Sequence, residues 1–247
     1  ERLCTSTGSD QVLLLNTGSE AYDAAMRLAR KWGQRHRGGA SRIITASGRH
    51  HEHDRSASDC VPFNDLPALH AAVDAQTVAI MLEPIQTAAG VVPATELYLK
   101  GVERLCRELG ILLILDEVQT GVGRCASVLA EQSYGVRADI VVLGEGLGGG
   151  VPLAALLARG NACCFEPGDL DGTHHGNGLM AAAGVAVLDS VLDNGFVDHL
   201  RDSAQHLREG LSRLANRYGH GELHGQGLLW GLTLSDDCAE AVVKAAL

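Results

Sequence analysis

The feature that most limits the fold of this chain is a series of short aliphatic runs that alternate with helix-like stretches. The runs lie at residues 77–82, 111–115, 140–143 and 153–157, and an amphipathic stretch at residues 97–109 separates the first two. Strands that are apolar on both sides, without alternation, are typical of parallel sheets covered by helices on both faces. The pattern therefore predicts an α/β fold with a doubly wound, mainly parallel sheet flanked by helices.

The remaining patterns divide the chain into two predicted domains. Residues 12–15 predict an early strand, which is followed by a helix. The apolar face of that helix would contain Ala21, Ala24, Ala25, Leu28 and Ala29. Residues 196–217 predict a long helix, and residues 225–234 predict the first strand of a smaller C-terminal domain. We therefore expect a large α/β domain over residues 1–195, with the long helix and the start of a truncated small domain over residues 196–247.

The composition argues against several classes of protein. The 30 glycines and the aromatic content of 4% favour an aliphatic α/β core over a β-sandwich. The formal net charge of −10 argues against nucleic acid or an anionic membrane surface as the main partner. A small phosphate-bearing ligand remains compatible with that charge, because a helix N-terminus binds phosphate locally.

Cysteine usage and hydropathy predict a cytoplasmic protein. The seven cysteines form no CxxC motif and have no regular spacing, which in a chain of this length indicates reduced thiols. The sequence shows no signal peptide and no apolar run of membrane length, so we expect a soluble chain without a membrane partner.

Four polar segments carry candidate chemistry. They are Thr17-Gly18-Ser19, Asp116-Glu117, the glycine-rich loop 146–150 and the histidine cluster His50–His53. Taken alone, the first is either a phosphate cradle or a helix cap, and the second is a metal site, a ribose contact or a solvated strand end. The third is either a phosphate loop or a simple turn. The spacing of the fourth fits no standard zinc-ligand pattern, so we expect no metal site.

Five motifs, taken in their order along the chain, favour one interpretation of these polar segments. They are NTGSEA at residues 16–21, EPIQ at 83–86, ILLILDEVQTGVGR at 111–124, ADIVVLGEGLGGGVP at 138–152 and GTHHGNGLM at 172–180. Together they resemble the class III aminotransferases that depend on pyridoxal 5'-phosphate (PLP), and most closely the acetylornithine and ornithine branch. The resemblance covers almost the whole chain. It implies the fold type I architecture of PLP enzymes and amino-group transfer to 2-oxoglutarate.

The resemblance also implies how the chain would hold PLP. Asp116 would pair with the pyridine nitrogen and keep it protonated, so that the ring accepts electrons. Val118 would pack against one face of the ring, and Gln119 would face its 3-oxygen. Gly18 and Ser19 would donate backbone N–H groups to the phosphate at the positive end of a helix.

Further residues acquire implied roles toward substrate and partner. Glu83 would lie near the amino-acid end of the substrate, so the small-molecule partner would be an amino acid or an oxo acid. Thr173 would reach the phosphate of the neighbouring subunit, which implies a homodimer with shared sites. His50 stands where the family has an aromatic residue stacked on the ring, and histidine stacks less favourably than phenylalanine.

The main departure from the family is Glu145, which occupies the position of the family's catalytic lysine. That lysine binds the cofactor covalently and shuttles a proton during the reaction. A carboxylate cannot make this bond, and none of the three lysines of the chain, Lys31, Lys100 and Lys244, is well placed to replace it. We therefore expect PLP to bind without a covalent link, if it binds at all.

Other departures concern whole segments. About twenty residues of the family pattern are missing before Val61, and Gly178 replaces a usual proline. Compared with the family, we also expect the N-terminal segment and most of the small C-terminal domain to be absent; the resemblance implies that these parts carry arginine contacts to substrate carboxylates.

Three functional hypotheses follow. The first is an acetylornithine- or ornithine-type aminotransferase by descent with impaired or lost turnover. The second is a non-catalytic dimer partner that regulates an active homologue. The third is an active aminotransferase disabled by a single lysine-to-glutamate change. The several departures favour the first over the third. A metal-dependent enzyme built on His50–His53 ranks last.

Overall fold

The computed structural model describes residues 1–49, 59–170, 172–219, 221–234 and 238–246. The strands in this part of the chain are β1 (Gln11–Leu15), β2 (Arg42–Ala46), β3 (Asp59–Val61), β4 (Thr77–Leu82), β5 (Ile85–Gln86), β6 (Val92–Pro93), β7 (Leu112–Asp116), β8 (Ile140–Leu143), β9 (Ala154–Ala158), β10 (Leu223–Gln226) and β11 (Leu229–Leu232). The helices are α1 (Arg2–Thr7), α2 (Gly18–His36), α3 (Leu66–Ala72), α4 (Glu96–Leu109), α5 (Ala130–Tyr134), α6 (Gly178–Val191), α7 (Asn194–Tyr218) and α8 (Ala239–Ala246).

The largest sheet has seven strands in the order β1-β9-β8-β7-β4-β2-β3. Neighbouring strands run parallel from β3 across to β8, whereas β9 is antiparallel to both β8 and β1. The predicted α/β fold with a mainly parallel sheet is therefore confirmed. The direction of β9 could not be predicted, because a fully buried strand has the same aliphatic pattern in either direction.

Helices cover both faces of this sheet. On one face lies α2, and its predicted apolar residues from Ala21 to Ala29 are at most 1% exposed. They pack against sheet residues such as Ile114 and Val142. On the opposite face, Leu99 and Val102 of α4 belong to a second core that includes Leu113 and Leu115. Because successive residues of β7 point into opposite cores, the strand needs an apolar residue at each position from Leu112 to Leu115.

Local signals fix the ends of these helices. At the start of α2, Thr17 Oγ1 accepts a hydrogen bond from Glu20 N–H at 3.2 Å, and the Glu20 carboxylate accepts one from Thr17 N–H at 3.2 Å. This reciprocal cap pairs two N–H groups that a helix leaves unpaired. Helix α4 ends at Gly110, which adopts a left-handed conformation with φ of 61° and closes the helix at the residue that the sequence indicated.

One predicted element is wrong. Residues 225–234 form most of a hairpin, β10 and β11, rather than a single strand. The hairpin pairs Gln226 with Leu229, so its turn has two residues, and Gly227 takes the left-handed φ of 61° that such a turn requires. A Cβ atom at Gly227 would lie 2.6 Å from the backbone of Cys125. Glycine is therefore needed both for the turn and for its close approach to the sheet domain.

No single helix in the described ranges is both long and apolar enough to cross a membrane. Helix α6 and residues 195–218 pass such a test only together, and a bend of 73° separates them.

Candidate active site

Three loops meet at the carboxyl edge of the parallel strands, the edge at which open α/β sheets bind ligands. Gly18 begins α2, Val118 follows β7, and Gly144 follows β8. A Cβ atom added to Gly18 would lie 2.8 Å from Val118 Cγ1. One added to Gly144 would lie 3.1 Å from the same atom and 3.3 Å from Gly18 Cα. The structure therefore brings together three of the segments singled out in the sequence.

Asp116 lies at the end of β7, in the middle of the sheet, and is buried. Its Oδ1 accepts a hydrogen bond from Val118 N–H at 3.1 Å, which restricts rotation of the carboxylate. Asp116 is therefore the last residue of a central strand. A carboxylate fixed in this way, and largely removed from water, is suited to accept a charge-assisted hydrogen bond from a protonated ring nitrogen.

The start of α2 is suited to an anion. Its first N–H groups precede the intrahelical hydrogen bonds, and the 19-residue helix directs the positive end of its dipole to this point. The reciprocal cap uses the N–H groups of Thr17 and Glu20, whereas a phosphate would use those of Gly18 and Ser19. The two interpretations of this motif, helix cap and phosphate cradle, are therefore compatible.

Thr173 lies beside the start of the same chain's α2. Its carbonyl accepts a hydrogen bond from Asn16 Nδ2 at 3.0 Å. Two residues later, His175 Nε2 lies 3.6 Å from Glu20 Oε2. The segment that carries Thr173 thus adjoins the N-terminal end of α2. Its predicted reach into a neighbouring subunit stays a prediction.

A narrow cleft extends from Asp116 toward the end of β4. Glu83 and Gln86 line it together with Tyr22, Asp116 and Arg49. Gln86 is held in place because its Nε2 donates a hydrogen bond to the carbonyl of Ser47 at 2.8 Å. The Glu-Pro motif therefore shares a cleft with Asp116, and the role of Glu83 toward the substrate stays a prediction.

Arg49 was not recognised from the sequence. It is buried, and its Nη1 donates to Cys60 Sγ at 3.5 Å. The Nε atom is also buried and has no hydrogen-bond partner among the described residues. A lone arginine after β2 gives no sequence signal for this position, because only the fold brings it to the same cleft as Asp116 and Glu83.

Glu117 stabilises the loop that carries Gln119. Its side chain is fully buried, and its carboxylate accepts hydrogen bonds from the N–H groups of Ala130 and Glu131 and from Thr120 Oγ1. Burial raises the pKa of Glu117 to about 7. The sequence left Asp116-Glu117 open as a metal site, a ribose contact or a solvated end. The structure shows that Glu117 instead closes residues 117–131 into a fixed loop.

A buried ion pair continues this support. The guanidinium of Arg159 donates to Glu131 Oε1 at 2.7 Å and to Glu131 Oε2 at 3.1 Å. It also donates to the carbonyls of Ala138 and Thr7 at 2.8 and 2.9 Å. The two hydrogen bonds to Glu131 form a bidentate pair, which fixes the orientation of both side chains as well as pairing their charges. Through Glu131, the Gln119 loop is therefore tied to the end of β9 and to α1.

Glu145 begins the short 3₁₀ turn Glu145–Gly148 directly after Gly144, and its side chain is exposed. It adopts a left-handed φ of 40°, and Val122, which adjoins Gly146, has a φ of 54°. This region is unfavourable for residues with a Cβ atom, and above all for a β-branched residue such as Val122. Backbone strain of this kind is concentrated at functional sites.

The three lysines of the chain lie elsewhere. Lys31 on α2 pairs with Glu166 and Asp169, Lys100 pairs with Glu96 on α4, and Lys244 pairs with Glu240 on α8. The hydrogen bond to Asp169 raises the pKa of Lys31, which keeps its amine protonated. None of them belongs to the loops that meet at Gly18 and Val118.

The predicted ring-stacking residue, His50, and the rest of the histidine cluster lie outside the described residues. No group of three or more histidine, cysteine, aspartate or glutamate side chains with the geometry of a metal site occurs within the described ranges.

The chain matches the family model "Aminotransferase class-III" over residues 49–247. It is 43% identical, over 267 aligned positions, to acetylornithine aminotransferase 2 of Bordetella parapertussis, and the match covers 100% of this chain and 67% of that protein.

Solved structures give the same family. N-acetylornithine aminotransferase from Stenotrophomonas maltophilia superposes with a TM-score of 0.88 at 33% identity, covering 99% of this chain and 66% of that one. Ornithine aminotransferase from Toxoplasma gondii, described with partial occupancy of PLP at its active site, gives a TM-score of 0.84 at 30% identity, over 96% of this chain and 62% of that one. The chain thus spans about two thirds of the length of the relatives it matches.

Proposed function

This chain belongs to the class III aminotransferases, and from that premise we propose that it is an acetylornithine- or ornithine-type member that binds PLP without a covalent link. We further propose that its transfer of amino groups from such donors to 2-oxoglutarate is strongly impaired. The large domain, residues 1–195, would carry the cofactor, and residues 196–247 would begin the small domain.

The residues of the site fit this cofactor. The N–H groups of Gly18 and Ser19 would hold the phosphate at the start of α2, where the close contact of Gly18 with Val118 leaves backbone rather than side chain facing the ligand. Asp116 would accept a hydrogen bond from the ring nitrogen, and Gln119 would face the 3-oxygen. When bound, the ring supplies an electron sink for reactions at the α-carbon of an amino acid.

Two other residues would act at the edges of the ring. Val118, in contact distance of both glycine loops, would pack against one face. Glu83 would lie toward the substrate, because it lines the same cleft as Asp116. Thr173 would contribute to phosphate binding, and His50 would stack on the second face of the ring.

Glu145 is the observation that carries the proposed loss of activity. It follows Gly144, which closely approaches Val118, and the resemblance places the family's lysine at this position. Each lysine of this chain is held in an ion pair away from that loop. A carboxylate cannot bond covalently to the cofactor. As a proton acceptor it would share its edge of the sheet with Asp116, and like charges in one site oppose ionisation of both.

The test compares the wild-type protein with Glu145→Lys. After PLP is added and borohydride is used for reduction, the wild type should carry no pyridoxyl mass, whereas Glu145→Lys should carry one. Turnover of acetylornithine or ornithine should remain weak in both. One acid–base group contributes about 10²–10⁴ in rate. Glu145→Lys would leave His50 in place of the ring-stacking aromatic and would not restore the segment expected before Val61, on which positioning would depend.

Three outcomes would contradict this proposal. Pyridoxyl mass on Lys31, Lys100 or Lys244 of the wild type would refute the absence of a covalent link. Family-like turnover by Glu145→Lys would show a sound enzyme disabled at one residue. Failure of the wild type to bind PLP at all would favour a non-catalytic partner of an active homologue.

We also propose that the chain forms a homodimer through the face that carries Thr173. Helix α6 follows this segment and is apolar on most sides, yet Leu179 is 74% exposed and Val185 is 43% exposed. A helix that is apolar all round is normally buried. Light scattering of the wild type and of Leu179→Asp tests this proposal, because the charged variant should shift the protein toward monomer. A wild type that is monomeric at micromolar concentration would contradict it.

A further inference from the structure

The residues on either side of Glu145 contact the loops of the proposed cofactor site. Gly144, the residue before it, approaches Gly18 so closely that an added Cβ would lie 3.3 Å from Gly18 Cα. Gly146, the residue after it, adjoins Val122. Glu145 itself is confined to a left-handed φ of 40°, so its backbone is fixed between the phosphate-binding end of α2 and the Gln119 loop.

The charges at this edge of the sheet favour a cationic group on the ligand. Glu145 is exposed and forms no ion pair with any described residue. Asp116 and Glu83 place two further carboxyl groups at the ends of β7 and β4, the next strands of the sheet after β8. Arg49 is the basic side chain that lines the cleft, and every lysine is paired elsewhere. A ligand that brings an ammonium group to Glu145 would offset this negative charge.

We propose that this site selects the amine form of the cofactor, pyridoxamine 5'-phosphate, over the aldehyde form, PLP, and that Glu145 is the residue that distinguishes them. The inference rests on the proposed function, because it requires the cofactor's phosphate and ring at Gly18 and Asp116. The inference goes beyond the proposed function because it assigns to Glu145 a role in binding, in place of the proposed lost catalytic role of this position.

The chemistry of the two forms differs at one substituent. The aminomethyl group of the amine form is protonated near neutral pH and offers three N–H donors. Hydrogen bonds between an ammonium and a carboxylate are charge-assisted and are stronger than neutral ones. The aldehyde of PLP offers only an acceptor oxygen, which Glu145 cannot bond because an ionised carboxylate is also only an acceptor. No bond forms or breaks in this selection, so it requires no further reactant.

The amine form should bind about tenfold more tightly than PLP, since a charge-assisted hydrogen bond in a partly solvated site is worth about 1.4 kcal/mol, or a factor of ten. Isothermal titration calorimetry of the wild type with each form at pH 7.5 measures this ratio directly. Glu145→Gln keeps the size of the side chain and removes its charge, so the ratio should fall to within about twofold. Glu108→Gln, on the exposed end of α4, is the matched control and should keep the wild-type ratio.

Glu145→Lys gives an independent reading. It should reverse the preference, because two ammonium groups repel each other while the new amine can bond to PLP. Thermal denaturation of each apo variant verifies that the fold is kept, which the exposure of Glu145 leads us to expect.

The outcomes separate this inference from the proposed function. If PLP binds as tightly as the amine form, or if Glu145→Gln keeps the tenfold preference, the selection by Glu145 is wrong while cofactor binding stands. If neither form binds, both the inference and the proposed function fail. Preference for the amine form in the wild type, lost in Glu145→Gln and kept in Glu108→Gln, supports both.

Discussion

The sheet with its covering helices and the C-terminal part of the chain differ sharply in burial. Every residue of β4, β7, β8 and β9 is buried. In α7 the most buried side chains, Leu200, Ala204 and Ala215, are each 9% exposed, and every residue of β10 and β11 is only half-buried. Both regions contain regular helices and strands, so the difference lies in their packing.

This difference shows where the site obtains its rigidity. Asp116, Gly144 and the start of α2 all belong to the buried sheet region, so their positions are fixed by cores on both faces. The hairpin approaches that region through Gly227, beside Cys125. Regions with few buried apolar contacts open locally at low free energy. We therefore expect a substitution in the C-terminal part to lower the free energy of unfolding much less than an equivalent substitution in the sheet region.

The largest effect expected from this comparison comes from arginine removal. Arg159→Met should lower the free energy of unfolding by about 3–5 kcal/mol, because it leaves Glu131 as a buried charge without its partner. Arg213→Met in α7 removes a guanidinium whose side chain is 67% exposed and whose pairing with Glu209 is at 4.0 Å, so it should change stability by less than about 0.5 kcal/mol. Denaturant unfolding measures both, and similar losses would break the comparison.

Core truncation is the next test. Ile114 in β7 is fully buried, and Ile114→Ala should destabilise the protein by about 2–5 kcal/mol through lost burial and the cavity left behind. Leu214 in α7 is 50% exposed, so Leu214→Ala should have an effect below about 1 kcal/mol. Unfolding midpoints at equal m-values give the two numbers. A large loss for Leu214→Ala would mean that α7 is covered in solution.

The pH dependence of stability should also differ between the regions. Burial raises the pKa of Glu117 to about 7 from an ordinary 4.5, so the folded protein holds this proton more tightly than the unfolded chain. Its contribution to stability is complete below pH 4.5 and is lost as the pH rises through about 7, a change of about 3 kcal/mol.

Glu117→Gln should therefore lose less stability than the wild type between pH 4.5 and pH 8, when thermal unfolding is followed across that range. Glu209→Gln, on the exposed surface of α7, is the matched control and should keep the wild-type profile. An unchanged profile in Glu117→Gln would show that Glu117 stays ionised throughout.

The smallest expected effect is that of replacing a glutamate by glycine, which should change the stability in opposite directions in the two regions. Glu145 has a left-handed φ of 40°, which glycine adopts without strain, so Glu145→Gly should stabilise the protein by up to about 1 kcal/mol. Glu209 lies within α7, where Glu209→Gly should destabilise by about 1 kcal/mol. Melting temperatures should move in opposite directions by about 2–4 °C. A drop in both would mean that the turn at Glu145 is not strained.

The elements of the sheet could be predicted because their signals are local. The aliphatic runs fell within one residue of β4, β7, β8 and β9, and the cap at Thr17 and the stop at Gly110 act within a few residues of the chain. The five ordered motifs likewise identify the family, because the resemblance depends only on residue order. The prediction of a single strand over residues 225–234 was wrong, because a two-residue turn at Gly227 interrupts an otherwise continuous strand-like pattern.

By itself, then, the sequence determined the fold class and the family, since each depends on residue identity and order along the chain. Only the tertiary structure decided that β9 runs antiparallel, that Glu117 is buried as a support rather than exposed as a ligand, and that Arg49 shares a cleft with Asp116 and Glu83. These properties depend on which segments, distant in the sequence, pack against one another in the folded chain. Burial and charge pairing are set by that packing.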